Sequence, residues 1–122
     1  MWKYYNANPR GQNVSDCTVR AISVAEGKTW DQTYEELSRL AQIDGILLDD
    51  VNFIEDYLDK RYVRQCHYSK TVGEFIEEHP FKTYLITMEG HITCAKNGNL
   101  IDTFDCSERI MRCAWCVPQK KP

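Results

Sequence analysis

The sequence lacks long apolar runs, internal repeats and any surplus of positive charge. No stretch approaches the roughly 18 apolar residues that a helix needs to cross a bilayer, and the polar opening MWKYYNANPR lacks the apolar centre of a signal peptide. A formal net charge of -3 leaves no broad basic surface for a phosphate backbone. We therefore expect a cytoplasmic protein that binds neither membranes nor nucleic acids.

Linkers are missing as well, because the 4 prolines and 6 glycines are scattered and no Pro/Gly/Ser-rich segment interrupts the chain. With 122 residues, of which 43% are hydrophobic, the chain can form one core without help from metals or disulfides. We expect a single domain over residues 1–122 that carries no cofactor and no metal ion.

Cysteine, by contrast, is abundant. Six cysteines are many for this length, and an even count is typical of a disulfide framework. Without an export signal, however, cytosolic thiols stay reduced, and we expect most of them to behave as small buried hydrophobic residues. The six are Cys17, Cys66, Cys94, Cys106, Cys113 and Cys116.

Apolar residues recur at helical spacing in the first two thirds of the chain. The spacing predicts helices over about residues 16–26, 29–44 and 48–60, and a shorter one over about 71–79 that ends before Pro80. The second and the fourth begin with a capping-box pattern.

After Pro80 the pattern changes to that of strands. Alternation and turn signals predict strands over about residues 82–88, 91–96, 100–105 and 109–117, after a short strand near 62–68. The sequence therefore predicts an α+β fold, in which N-terminal helices pack on a C-terminal antiparallel sheet.

The dipeptide Asn97-Gly98 is the strongest turn signal in the sequence and predicts a two-residue hairpin of type I′. If these two residues form the loop, opposed positions share a face of the sheet, and His91, Thr93 and Asp102 lie on one face. Asp102 is then diagonal to His91 and within reach of its imidazole. Asp105 faces the other way, and a bulge in the hairpin would be needed to bring it to His91 instead.

Cys17 begins the first predicted helix, a position that lowers the pKa of a thiol, and a neighbouring imidazolium lowers it further. A carboxylate on the second ring nitrogen of that imidazole fixes its tautomer and orientation. The three residue types predict a nucleophilic system in which Cys17 attacks, His91 acts as general base and acid, and Asp102 orients His91.

The outline "YYNANP…DCTVRAIS…GH…DTFD", with a Cys at a helix start, a Gly-His that opens a strand and an acid after an "NG" turn, resembles the papain-like cysteine peptidase superfamily. It is similar to the small NlpC-like and bacteriocin-processing members, and to small proteins of phages and mobile elements that share their fold. The resemblance implies a minimal papain-like fold and a thiol peptidase whose triad is Cys17, His91 and Asp102.

The same resemblance implies a side chain upstream of the nucleophile that donates to an oxyanion, beside the backbone N–H of Cys17. We favour Gln12 for this role. Three asparagines stay open as alternatives: Asn6, Asn8 and Asn13.

We therefore predict a thiol hydrolase that cleaves an amide, peptide or isopeptide bond of a protein or peptide substrate through an acyl-enzyme. An acyltransferase with the same triad is not distinguished by sequence, and neither substrate identity nor oligomeric state is specified. A second hypothesis is a non-enzymatic phage or host interaction protein, or an inhibitor, that keeps the papain-like fold. A third is a zinc protein built on Cys106, Cys113 and Cys116, which is disfavoured because residues three apart on a strand point to opposite faces.

Overall fold

The structure is a computed structural model and describes residues 1–12 and 14–119. Over these residues the chain forms four helices and six strands. The helices are α1 (Cys17–Glu26), α2 (Trp30–Asp44), α3 (Val51–Asp59) and α4 (Val72–Glu78). The strands are β1 (Trp2–Tyr4), β2 (Arg64–Cys66), β3 (Thr83–Met88), β4 (His91–Lys96), β5 (Asn99–Asp102) and β6 (Met111–Val117).

The strands form one sheet in the order β1-β5-β4-β3-β6-β2. The α+β class is confirmed, but the prediction of an antiparallel sheet is wrong in one pair, because β1 runs parallel to β5. The sheet is therefore mixed. Sequence analysis missed β1 because its three residues are all exposed and show no alternation, and because its partner strand lies at the other end of the chain.

Local signals set most of the helix boundaries. In α2, the Thr29 side chain accepts from the backbone N–H of Gln32 at 3.1 Å, while the Gln32 side chain accepts from the N–H of Thr29 at 3.0 Å. The predicted capping box is thus confirmed, and α4 begins in the same way. Helix α1 ends as expected at Gly27, whose φ of 69° lies in the left-handed region that glycine tolerates.

Helix α3 begins later than the apolar spacing predicts, at Val51 rather than near residue 48. The reason is Asp50, whose carboxylate accepts from the backbone N–H of Asn52 at 2.9 Å and so caps the helix there. The residues just before this cap remain in the connection from α2, and Asp49 of this connection lines a cleft beside Cys17.

Helices cover both faces of the sheet. Because side chains alternate along a strand, Leu85 and Trp115 pack with α1, α2 and α3 on one face, whereas Ile86 and Ala114 pack with α4 on the other. All four of these side chains are fully buried. The central strands are thus packed on both faces, and residues at their ends, such as His91 at the start of β4, have a fixed backbone. No helix in the described part of the chain has the length and apolar character to span a membrane.

The expectation of reduced cysteines is wrong for two of the six. Cys66 and Cys113 are direct partners in the antiparallel β2–β6 pair, and a disulfide joins them. Their pairing could not be inferred from spacing, because it follows from a strand register that brings together residues separated by 47 positions.

Reduction of this disulfide is expected to lower the free energy of unfolding by roughly 2–4 kcal/mol, because the bond restricts a long loop of the unfolded chain. Urea unfolding with and without a reductant measures the difference. The double variant Cys66→Ala/Cys113→Ala should be insensitive to the reductant, and a loss of stability on reduction that persists in this variant would contradict the assignment.

The hairpin between β4 and β5 has the predicted register. Cys94 lies opposite Ile101 and Ala95 opposite Leu100, as the two-residue loop requires. Both loop residues have positive φ, 51° for Asn97 and 80° for Gly98, which is the signature of a type I′ turn.

Candidate active site

The register brings His91 and Asp102 into direct contact. His91 opens β4 and Asp102 ends β5, and 2.7 Å separates Nε2 of the imidazole from Oδ2 of the carboxylate. Both side chains are nearly excluded from solvent, with exposed fractions of 7% and 4%. The ring is also supported by Phe104, whose centroid lies 4.8 Å from that of the imidazole.

Both oxygens of the Asp102 carboxylate accept hydrogen bonds. Oδ2 also accepts from the Thr93 hydroxyl at 2.6 Å, and Oδ1 accepts from the backbone N–H of Thr103 at 2.7 Å. Burial opposes ionisation, but the hydrogen bonds from His91 and Thr93 outweigh it and lower the pKa of Asp102. The carboxylate is therefore a fixed negative charge behind the imidazole.

Cys17 is the first residue of α1 and lies beside His91. Burial by itself raises the pKa of a thiol, but here the hydrogen bond with His91, the backbone N–H of Ile92 and the nearby positive charges lower the pKa of Cys17 overall. Because Nε2 of His91 bonds to Asp102, the other ring nitrogen is the one left for the sulfur. The imidazole therefore lies between the thiol and the carboxylate.

Burial also disfavours the charged imidazole, yet hydrogen bonds to Asp102, Cys106 and Cys17 raise the pKa of His91 well above its usual value. Opposite shifts of the thiol and the imidazole favour a thiolate next to an imidazolium. Such a pair is the reactive form of a cysteine nucleophile.

The side chain of Asp16, the N-cap residue of α1, does not bind the backbone N–H groups of the first turn. Its carboxylate instead accepts from Arg20 at 2.6 Å and from the indole N–H of Trp30 at 2.9 Å. No side chain at the cap position therefore competes for the first-turn N–H groups of α1, which begin at Cys17.

Arg20 connects this cap to the triad, since its guanidinium also lies 3.7 Å from Oδ1 of Asp102. Its side chain is only 11% exposed. Sequence analysis missed Arg20, which looks like one charged residue on an amphipathic helix. Its bond to Asp16 is a local contact between residues i and i+4, but its approach to Asp102 depends on a residue of β5 and leaves no local signal.

The variant Arg20→Met is expected to lower the free energy of unfolding by about 3 kcal/mol or more, because two buried carboxylates lose their cation. Arg10→Met is the matched control, since the Arg10–Asp31 pair is exposed at 60% and 54% and its loss should cost no more than about 1 kcal/mol. Urea unfolding of both variants measures the contrast, and equal losses would argue against a buried ion-pair network.

Strand β1 holds the backbone of Asp102. The carbonyl oxygen of Asp102 accepts from the backbone N–H of Tyr5 at 3.1 Å and from the indole N–H of Trp2 at 3.1 Å. The N-terminal segment thus contributes to the site by fixing the residue that orients His91. The aromatic residues near the start of the chain gave no such indication in sequence.

Asp105, the other acid considered as a partner of His91, lies away from the imidazole and binds Ser107. Asp105 is exposed, and its Oδ1 accepts from the backbone N–H of Ser107 at 3.0 Å. Of the two acids, Asp102 is therefore the one that contacts His91, because the hairpin contains no bulge that would invert the faces.

One group of potential metal ligands coincides with the site. His91, Asp102 and Cys106 place a nitrogen, an oxygen and a sulfur within 4.8 Å of one another. However, two such ligands bound to a tetrahedral zinc ion at about 2.0–2.1 Å lie roughly 3.3 Å apart, and Nε2 and Oδ2 are already in contact at 2.7 Å. An ion would have to break the His91–Asp102 hydrogen bond, so the residues fit proton sharing better than metal binding.

The C-x-x-C pair behaves as strand geometry predicts. Cys113 lies in the core on the α1 face, whereas Cys116 packs against the core on the α4 face. With Cys113 in the disulfide to Cys66, these residues do not assemble a common site.

Three of the residues considered as oxyanion donors lie in the loop before α1. Asn8 is buried and donates to Asp16 at 3.5 Å, and Asn6 donates to the backbone carbonyl of Gln12 at 3.4 Å. Gln12 itself is exposed and is not among the residues that line the cleft. Asn13 lies outside the described residues.

The cleft at the thiol has a volume of about 370 Å³. Cys17 and His91 lie on its wall, together with Thr87, Met88 and Arg112 from the neighbouring strands. Cys17 is half-buried rather than sealed in the core. Comparisons with protein-family models, curated proteins and solved structures find no match to this chain. Assignment of a function therefore depends on the geometry of the site.

Proposed function

We propose that the protein is a small thiol hydrolase of papain-like type, which cleaves an amide, peptide or isopeptide bond through an acyl-enzyme. One observation carries this proposal: the buried His91–Asp102 pair, joined by a hydrogen bond of 2.7 Å, lies beside Cys17 on the wall of an open cleft. A buried structural cysteine has no need of a buried imidazole and carboxylate behind it.

In the first half of the reaction, the Cys17 thiolate forms a bond to the carbonyl carbon of the substrate, and the carbonyl oxygen takes up the negative charge. The His91 imidazolium then donates its proton to the leaving nitrogen as the C–N bond breaks. A thioester and a free amine result, and His91 is left neutral.

In the second half, neutral His91 removes a proton from a water molecule that attacks the thioester carbon. The C–S bond breaks, the carboxylic acid leaves, and the thiolate–imidazolium pair is restored. Asp102 remains ionised throughout and keeps the ring in place.

The open N-terminus of α1 supports stabilisation of the oxyanion. With the Asp16 carboxylate turned toward Arg20 and Trp30, no cap side chain binds the helix backbone, and the backbone N–H of Cys17 is the donor we expect to bind the oxyanion. A single donor of this kind contributes on the order of 3 kcal/mol to the stabilisation of a transition state. Gln12 stays a predicted second donor, and its contribution would require the loop before α1 to move toward the cleft.

Incubation with p-nitrophenyl acetate is expected to acetylate Cys17 and release nitrophenolate in a burst, followed by slow turnover as the thioester hydrolyses. Mass spectrometry of the intact protein and of its peptides locates the acetyl group. The variant Cys17→Ala should show neither burst nor adduct, whereas Cys116→Ala, which removes the other half-buried free thiol, should retain both. Acetylation spread equally over both thiols would contradict the proposal.

A further inference from the structure

Strand β1 forms one edge of the sheet, and its outer side has no partner strand among the described residues. It pairs with β5 and stands at the end of the strand order. All three of its residues are exposed. A free edge of this kind carries unpaired backbone N–H and C=O groups, which can pair with another polypeptide.

The hydrogen bonds at the two ends of β1 show which backbone groups are free. The carbonyl oxygen of Met1 accepts from a backbone N–H of β5 at 2.9 Å, and the N–H of Tyr5 donates to a carbonyl oxygen of β5 at 3.1 Å. In a parallel pair, alternate residues direct both backbone groups to the same neighbour, so the odd-numbered residues of this segment face β5. The N–H and C=O groups of Trp2 and Tyr4 therefore point away from the sheet.

A groove of about 790 Å³ lies beside this edge, between β1 and the connection from α1 to α2. Three lysines line it: Lys3 of β1, Lys28 of the connection and Lys96 at the end of β4. Of the described residues that line the groove, only Asp31 is acidic, and Arg10 binds it at 2.9 Å. The groove is therefore positively charged, although the chain has a formal net charge of -3.

Two of the three lysines have no carboxylate partner within the described part of the chain. Lys28 binds Glu36 at 2.9 Å, but the ion pairs formed by residues 1–12 and 14–119 include neither Lys3 nor Lys96. Positive groups gathered in one concave surface raise the local concentration of an oppositely charged ligand. The charges of Lys3 and Lys96 are thus available to the carboxylates of a partner.

Lys3 also disfavours the pairing of two copies of this protein at the same edge. An antiparallel pair of β1 strands centred on this residue would bring the two Lys3 side chains directly opposite each other, and like charges in that position are destabilising. Lysine at a strand edge commonly prevents self-association for this reason. The same charge attracts a strand that carries acidic side chains.

We propose that the β1 edge and this groove bind an acidic segment of a partner polypeptide in an extended conformation. The segment adds a strand through the free backbone groups of Trp2 and Tyr4, and its carboxylates, at every second position, bind Lys3 and Lys96. Tyr4 and Tyr5 also line the groove and are 67% and 53% exposed, so they add contact area of the kind that dominates interfaces. The described residues that line this groove are distinct from those that line the thiol cleft, so the interaction is separate from the proposed catalysis.

Fluorescence anisotropy with labelled heptapeptides at low ionic strength tests this proposal. Peptides of alternating Glu and Val, of alternating Lys and Val, and of alternating Glu and Pro are compared, together with an octathymidylate. The Glu-Pro peptide keeps the negative charge but cannot complete a strand ladder, because proline has no N–H. We expect the Glu-Val peptide to bind at least about 10-fold more tightly than each other ligand, since it alone offers both the carboxylates and the backbone groups.

Two charge-reversal variants locate the binding. Lys3→Glu alters the groove, whereas Arg39→Glu makes the same change in net charge on an exposed side chain that does not line it. The Glu-Val peptide should bind about 10-fold more weakly to Lys3→Glu but within about 2-fold of the wild type to Arg39→Glu. Lys3→Glu should also bind the Lys-Val peptide more tightly than the wild type does. Alkylation of Cys17 by iodoacetamide should be equal in both variants, which shows that the fold and the thiol are intact.

Other results would overturn the proposal. If the Glu-Val peptide does not bind at up to about 1 mM, or if both variants lose affinity equally, the groove is not a binding surface for acidic segments, while normal alkylation of Cys17 leaves the proposed function standing. Equal affinity for the Glu-Val and Glu-Pro peptides would show that charge alone holds the ligand, without strand addition. Tightest binding of the octathymidylate would assign the groove to single-stranded nucleic acid. A dimer in sedimentation that the Glu-Val peptide dissociates would assign the edge to a second copy of the protein.

Discussion

Iodoacetamide at pH 6 is expected to alkylate Cys17 faster than any other cysteine, and His91→Ala is expected to slow this reaction about 10-fold or more. An ordinary thiol is ionised to only about one part in 300 at this pH, whereas contact with His91 lowers the pKa of Cys17. In His91→Ala the fall in the thiolate fraction of Cys17 outweighs the greater nucleophilicity of a thiolate with a higher pKa, so the alkylation rate decreases.

The other cysteines provide internal comparison. Cys94 and Cys106 are buried, and burial raises the pKa of Cys94 to about 12. Cys66 and Cys113 are held in the disulfide. The half-buried Cys116 is therefore the reference thiol, and peptide mapping after a short exposure gives the ratio of modification at Cys17 and Cys116.

The pH dependence has a definite sign. Because the pKa of Cys17 is lowered, its alkylation rate should already be high in mildly acidic solution and should fall only as the thiolate is protonated at lower pH. In His91→Ala this acid limb should move to higher pH. His79→Ala is the matched control, since His79 bonds to the backbone of Phe75 and should leave the profile unchanged. Equal, slow labelling of all free thiols in the wild type would be incompatible with the site.

The hairpin between β4 and β5 explains why the contact between His91 and Asp102 could be predicted from the sequence. The Asn97-Gly98 turn fixes a register locally, and that register alone places His91, Thr93 and Asp102 on one face. The position of Cys17 at a helix start was likewise visible, because Gly27 and the apolar spacing delimit α1. Each of these features depends on residues within a dozen positions of one another.

What could not be predicted depends on contacts between distant parts of the chain. The pairing of β1 with β5 leaves no trace in the local pattern of Trp2–Tyr4, yet it fixes the backbone of Asp102. Arg20 becomes a residue of the site only because α1 packs against β4, which brings the guanidinium to Asp102 at the end of the neighbouring strand β5. The Cys66–Cys113 bond likewise depends on the β2–β6 register.

The sequence left two acids, Asp102 and Asp105, as possible partners of His91, and variants of the two residues distinguish them. Asp102→Ala is expected to reduce turnover of p-nitrophenyl acetate by about 100-fold or more, because His91 is no longer held in position and loses the contribution typical of a general base. Without the carboxylate, His91 loses the partner at 2.7 Å that fixes its orientation, and the Thr93 hydroxyl loses its acceptor. Asp105→Asn, on an exposed side chain whose bond to Ser107 lies outside the site, should change turnover less than 2-fold.

Asp102→Asn separates the charge of this residue from its shape. An amide oxygen can still accept from Nε2 of His91, so the ring stays in place, but the negative charge that helps to raise the pKa of His91 is gone. The imidazolium should therefore lose its proton at lower pH than in the wild type, a shift that an NMR titration of the His91 ring measures. Urea unfolding monitors whether each variant remains folded. If Asp105→Asn rather than Asp102→Asn produced this shift, the hairpin would have the bulged register in solution, and the carboxylate that orients His91 would have to be reassigned.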